Sequence, residues 1–161
     1  MHETLITPHG LTRLQAELDR LRTDGRREAA VELRNAATAA ADLGESPEYH
    51  AAREQKALLE TRIAQLEARL AAVQVAEPDA GNDVVDLGER VRLRNLDTGS
   101  RVTYEIVGTF ETDLAAGRIS AASPVGRAVL GRRRGETALV ETPGGQLRLK
   151  IVAIEPARAA A

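Results

Sequence analysis

The 161-residue sequence contains no cysteine. That excludes a disulfide framework, a thiolate metal centre and a cysteine nucleophile. Tryptophan is also missing, and Tyr49, Tyr104 and Phe110 are the only aromatic residues. Base stacking on single-stranded nucleic acid and an aromatic-lined small-molecule pocket are both poorly served by so few rings. The three histidines, His2, His9 and His50, do not fall at metal-ligand spacing. No long uncharged apolar run occurs, and "MHETLITPHG" has no apolar signal core. The expectation is a cytoplasmic protein with no membrane span. Net charge is −2, so the molecule as a whole does not attract nucleic acid electrostatically. Its length suits one ordinary domain or two small ones.

What is present divides into two halves with different periods. In residues 8–41, Leu11, Leu14, Leu18 and Leu21 alternate three- and four-residue steps, which predicts a helix with an apolar seam. Thr7 suits its N-cap and Pro8 its first position. The seam loosens at Gly25 and resumes weakly through Leu33, Ala37 and Ala40. A second helix is predicted over 47–74, with Ser46 as cap, Pro47 in the first turn and Glu48 at the positive end of the dipole. Its seam is Leu59, Ile63, Leu66, Leu70 and Val73. Two seams joined by about five residues imply an antiparallel hairpin, thin near the alanine-rich loop and thicker at the leucine-rich base.

After Val75 the mixture "AEPDAGNDVVDLG" reads as a linker. Beyond it "RVRLRN", "RVTYEIVG", "TALVET" and "QLRLKIVAI" alternate with period two, as half-buried strands do. "DTGS" and "TPGG" are turn signals, the second with Gly144 at a type II positive-φ position. "SPVGRAVLG" predicts a short helix capped by Ser123, begun by Pro124 and ended by Gly131. The fold class is therefore α+β. Residues 1–75 form an antiparallel coiled-coil finger, 76–87 a linker, and 88–158 a small antiparallel β domain with a short helix.

Asp42 and Glu45 sit where the first helix must end. A carboxylate there opposes the helix dipole by about 0.3–1 kcal/mol, so solvated loop charge is the plain explanation. Alternatively, two carboxylates three apart can share a hard cation such as Mg²⁺. A pair alone is a weak site unless other oxygens complete the octahedron. No further acidic cluster, nucleophile dyad or phosphate loop is available to complete it in this chain, so the completing groups would come from another macromolecule. "GRRRGE" (131–136) is either a nucleic-acid patch or, more commonly for such runs, solvated surface.

Four stretches together resemble one family. "ADLGESPEYHAARE" is similar to the loop and second-helix start of the bacterial Gre transcript cleavage factors, whose pattern is approximately G-D-L-x-E-N-x-E-Y-H-A-A-[RK]-E. "TPHGLTRLQAELDRL" resembles the family's opening helix, "SPVGRAVLG" its C-terminal signature and "ETPGGQLRLKIVAIE" its closing hairpin. The resemblance spans nearly the whole chain in order. It implies a coiled coil followed by an FKBP-like domain. It also implies a monomer that binds bacterial RNA polymerase through the C-terminal domain, with Ser123 and Pro124 on the contacting segment. The finger would enter the secondary channel and bring Asp42 and Glu45 to the active centre, near the nascent RNA 3′ end, with Arg53 beside the RNA. There the two acids would share the polymerase's Mg²⁺ and stimulate cleavage of backtracked RNA. No cofactor is then bound by this chain alone, and the enzyme is the polymerase. Thr38, Ala41, Gly44, Ser46 and Pro47 depart from the residues usual in the family. The alternative implied is a secondary-channel regulator that binds or inhibits polymerase without promoting cleavage.

Overall fold

A computed structural model describes residues 4–77, 79 and 81–156. The chain separates into two compact units, Arg13–Ala72 and a second made of Met1–Thr12 with Val73–Ala161.

The Arg13–Ala72 unit is an antiparallel helical hairpin. Its ascending arm comprises α1 (Pro8–Arg20, from Arg13 onward), a π-helical turn (Leu21–Gly25) and α2 (Arg26–Ala39). Its descending arm is α3 (Pro47–Ala72). At 1.5 Å per residue α3 is about 39 Å long. Leu14, Leu18, Ile63 and Leu66 are buried, whereas α2 buries no residue. Apolar burial is thus confined to the part of the hairpin away from the loop, as the alanine-to-leucine gradient predicts. Nearer the middle, Arg26 grips Glu60 bidentately with both N···O distances at 2.9 Å, and Arg22 meets Glu67 at 2.6 Å. The guanidinium of Arg26 holds the Glu60 carboxyl below the usual range.

The weakening of the seam at Gly25 marks a real irregularity. The Arg26 N–H bonds to Leu21 O, an i→i−5 bond that inserts one extra residue into the helix. Gly25 keeps ordinary helical angles there, and a Cβ would lie 3.1 Å from Leu59 Cδ1. The backbone there does not demand glycine, and the nearest atom across to α3 is the tip of a flexible side chain.

The second unit begins with β1 (Thr4–Ile6), which pairs in parallel with β2 (Val73–Val75). Both segments were expected in the coiled coil. They are strands because the chain enters and leaves the hairpin side by side, which permits parallel pairing. Thr7 caps α1 as expected, accepting the Gly10 N–H at 3.0 Å. The Glu111 carboxylate accepts from the Thr7 N–H at 3.0 Å, the Thr7 hydroxyl and the Gly108 N–H at 2.9 Å. Residues 4–12 are fastened in this way to the sheet-bearing unit.

The main sheet contains β3 (Arg90–Asn95), β4 (Arg101–Val107), β5 (Arg118–Ser120), β6 (Thr137–Thr142) and β7 (Gly145–Glu155), in the order β5-β4-β3-β7-β6. Neighbours run antiparallel except β4 and β5, which pair in parallel. Strand β5 is three residues long, too short for alternation to reveal it. Helix α4 (Pro124–Val129) packs on the sheet, and the core includes Val91, Leu93, Ile106, Val129, Val140 and Ile151.

The stretch read as a linker contributes to that core. Val85 is fully buried and Leu87 is 6% exposed, while Val84 forms an isolated antiparallel bridge with Arg133. Polar and glycine-rich composition hid two alternating core positions. In the β6–β7 turn the positive φ falls on Gly145 (+116°), one residue later than expected at Gly144.

Candidate functional site

The hairpin loop spans residues 40–46. Helix α2 ends at Ala39, and Ala40 turns to extended angles of φ −87° and ψ 131°. Asp42 therefore lies beyond the helix, clear of the negative end of its dipole. Its Oδ1 accepts the Gly44 N–H at 2.8 Å, a local turn that leaves Oδ2 without a hydrogen bond among the described residues. Both Asp42 and Glu45 are exposed.

The far side of the loop is better anchored. Ser46 is buried and caps α3, its Oγ accepting the Tyr49 N–H at 3.2 Å, while the His50 N–H reaches Ser46 O at 3.1 Å. The His50 Nε2 lies 2.9 Å from Gly44 O. His50 thus ties the loop back onto α3. Glu45 is held between two anchored residues, Gly44 and Ser46.

Arg53 lies one turn further along α3, exposed, with its guanidinium carbon 5.9 Å from the Tyr49 ring centroid. A cation over an aromatic face orients the side chain while leaving its hydrogen-bond donors available. The Asp42–Gly44 turn and the His50 tether were not recognised in the sequence. An Asx turn over D-L-G is a legible signal; a histidine reaching six residues back is not.

The two acids form an incomplete ligand pair. Among the described residues no group of three or more His, Cys, Asp or Glu side chains is placed to hold a metal ion. Mg²⁺ asks for about six oxygens in near-octahedral geometry. One Asp42 oxygen already accepts the Gly44 N–H, and Asp42 and Glu45 by themselves fall short of that number of ligands.

Ser123 and Pro124 lie in the other unit. Ser123 Oγ accepts the Gly126 N–H at 3.0 Å and donates to Ser120 O at 2.6 Å, and Pro124 begins α4. Pro124, Arg127, Ala128, Leu139 and Glu141 line an open groove of about 280 Å³. Leu139 there is 54% exposed, unusual for a leucine in mid-strand. The described loop acids and this groove belong to different units.

A helical hairpin with a paired-acid loop, joined to a mixed-sheet α+β unit, defines the class. Residues 4–75 match the family model "Transcription elongation factor, N-terminal", and residues 80–156 match "Transcription elongation factor, GreA/GreB, C-term". The chain belongs to the GreA/GreB family of transcription elongation factors. It is 41% identical over 156 residues to transcription elongation factor GreA of Anaeromyxobacter sp. (strain K), covering 96% of this chain and 93% of that one. It is also 41% identical over 151 residues to the GreA of Geobacillus kaustophilus, covering 93% and 95%. Among solved structures, GreA factor homolog 1 of Thermus thermophilus is 31% identical, with 96% and 100% coverage and a TM-score of 0.43.

Proposed function

We propose that this chain acts on RNA polymerase, carrying Asp42 and Glu45 on its hairpin loop into the polymerase active centre and stimulating cleavage of backtracked RNA there. The observation that carries the reading is the exposed, incomplete acid pair at the end of a hairpin whose α2 arm buries no residue. Carboxylates that neither pair with a cation nor complete a site among the described residues are suited to supply oxygens elsewhere.

In that setting Asp42 and Glu45 would hold a Mg²⁺ shared with the polymerase, an ion that lowers the pKa of bound water and neutralises charge on a phosphodiester. The His50 tether and the Ser46 cap limit the loop's motion, so the two side chains arrive with less conformational entropy left to lose. The Arg53 guanidinium, steadied by Tyr49, would face the phosphates of the RNA 3′ segment. Ser123 and Pro124, beside the groove exposing Leu139, would contact polymerase protein. On this reading the bond-breaking enzyme is the polymerase, and this chain is its stimulator.

A second reading is favoured by one observation. Between Arg34 and Arg53 the sequence has no lysine or arginine, so no cation accompanies the acids on the loop. A factor of that kind would occupy the channel and inhibit without promoting cleavage. The two readings separate in a stalled, backtracked elongation complex supplied with Mg²⁺. Stimulation predicts faster RNA shortening, lost in Asp42→Ala and Glu45→Ala while polymerase binding persists. Binding with no acceleration establishes the inhibitor reading, and absence of binding to polymerase sinks both.

A further inference from the structure

The outward face of the main sheet carries a row of cations that no acid answers. In the register of the three central strands Arg94 stands opposite Arg101 on one side and opposite Lys150 on the other. All three are exposed, because their strand neighbours Leu93, Leu149 and Ile151 turn to the core. Two inter-strand steps of ~4.8 Å place the outer two strands about 10 Å apart. Among the described residues none of the three side chains has an ion pair or hydrogen bond. The acids nearby are already engaged: Glu155 by Arg92 at 3.0 Å, and Asp97 by Arg148 at 2.5 Å. Arg134, from the arginine run 132–134, joins the same open cleft of about 430 Å³, 3.7 Å from Asp83.

Like charges directly opposite on adjacent strands destabilise a sheet, and here two such pairs share one residue. Folding does not explain them, and the −2 net charge shows no general excess of cations. A ligand that brings negative charge to this face would relieve the repulsion. We infer that the cleft over Arg94, Arg101 and Lys150 is a binding site for the phosphate backbone of a nucleic acid. Three arginines and a lysine match phosphate oxygens, and Arg offers a planar fork of donors for them. The cleft has no aromatic ring to anchor a protein partner, since Tyr104 packs against the core. The same lack leaves no platform for base stacking, so recognition is independent of sequence. This site is separate from the loop acids and does not depend on their role.

The test is binding of the full-length protein, without polymerase, to a labelled 20-base-pair DNA duplex across a salt series. With three to four phosphates neutralised, log K should fall against log salt with a slope of about −3. That corresponds to ~60-fold weaker binding between ~50 and ~200 mM salt. Arg94→Gln, Arg101→Gln and Lys150→Gln should each reduce the slope by about 1, and the triple variant should lose binding at least ~10-fold. The triple variant should unfold at a temperature equal to or above the parent's, because repulsion is removed. An equal charge change at Arg127, Arg132 and Arg133 should leave the slope unchanged. The inference is overturned by no binding at ~50 mM salt, by equal loss in that control, or by slopes that ignore the single substitutions.

Discussion

Gly126 shows how closely one residue can bind sequence to geometry. A Cβ there would lie 2.1 Å from the Ser120 carbonyl oxygen and 2.9 Å from Ala121 Cα, both backbone atoms that cannot swing away. The Gly126→Ala protein should lose about 2–4 kcal/mol in urea unfolding. Ser123→Ala, which removes only the cap and its bond to Ser120, should cost about 1 kcal/mol. Much of "SPVG" is thus explained by the α4 start, leaving exposed Pro124 as the part free to serve a partner. Glu89 behaves differently. It is 3% exposed, and burial raises its pKa despite the hydrogen bond from the Asp86 N–H, with the charge of Asp86 adding to the rise. The folded protein therefore binds this proton more tightly than the unfolded chain. Its stabilising share is present below the ordinary glutamate pKa and is lost as pH rises through the raised value. Glu89→Gln should then gain stability relative to the parent as pH rises above the ordinary glutamate range, read from urea midpoints at each pH. Asp97 and Asp113 have the opposite sign: Arg148 lowers the first, and the Ala116 N–H with Arg118 lowers the second. Their contributions fade as pH falls below the usual aspartate range.

At the scale of the element, the hairpin arms were legible because capping and seam periodicity act locally. Thr7 and Ser46 both cap helices as their positions suggest, and Pro8 and Pro47 begin them. The π turn was visible only as a weakened seam, because its i→i−5 bond is a backbone event with no residue signature. Gly25→Ala tests which effect governs that turn. Replacing glycine in a helix gains about 1 kcal/mol of propensity, and the backbone angles already suit alanine. The opposing contact is the tip of the Leu59 side chain, which can rotate. The variant should therefore be more stable by about 0.5–1 kcal/mol, measured from the helical circular-dichroism signal on heating. Strand β5 and the core residues Val85 and Leu87 escaped detection for another reason. Three residues, or two alternating positions within polar surroundings, carry too little pattern to stand out.

For the molecule as a whole, the Glu111 clasp decides where the N-terminal segment belongs. Gly10 and Gly108 are both shaped by it: a Cβ on Gly10 would strike Glu111 Oε1, and one on Gly108 would lie 2.0 Å from Leu5 O. Glu111→Ala leaves the Thr7 and Gly108 N–H groups and the Thr7 hydroxyl short of an acceptor. Its expected cost is about 2–3 kcal/mol. Thr7→Val should cost about 1–2 kcal/mol through the cap and the shared bond. In the double variant the losses should fall short of their sum by at least about 0.5 kcal/mol, which a double-mutant cycle measures directly.

The sequence by itself determined the α+β class, the hairpin, its loop acids and four of the five strands of the main sheet. Each of those rests on local periodicity, capping or turn chemistry within a few residues. Only the tertiary structure decided that residues 4–12 join the sheet-bearing unit, that residues 85 and 87 are core, and that Arg94, Arg101 and Lys150 stand in one row. Apart from the Arg94–Arg101 hairpin pair, those facts depend on strand pairing and contacts between residues about 50 to 100 apart. No local preference encodes such pairings; register and burial do. At the loop, the sequence named Asp42 and Glu45, and the fold supplied the Gly44 turn and the His50 tether that hold them outward.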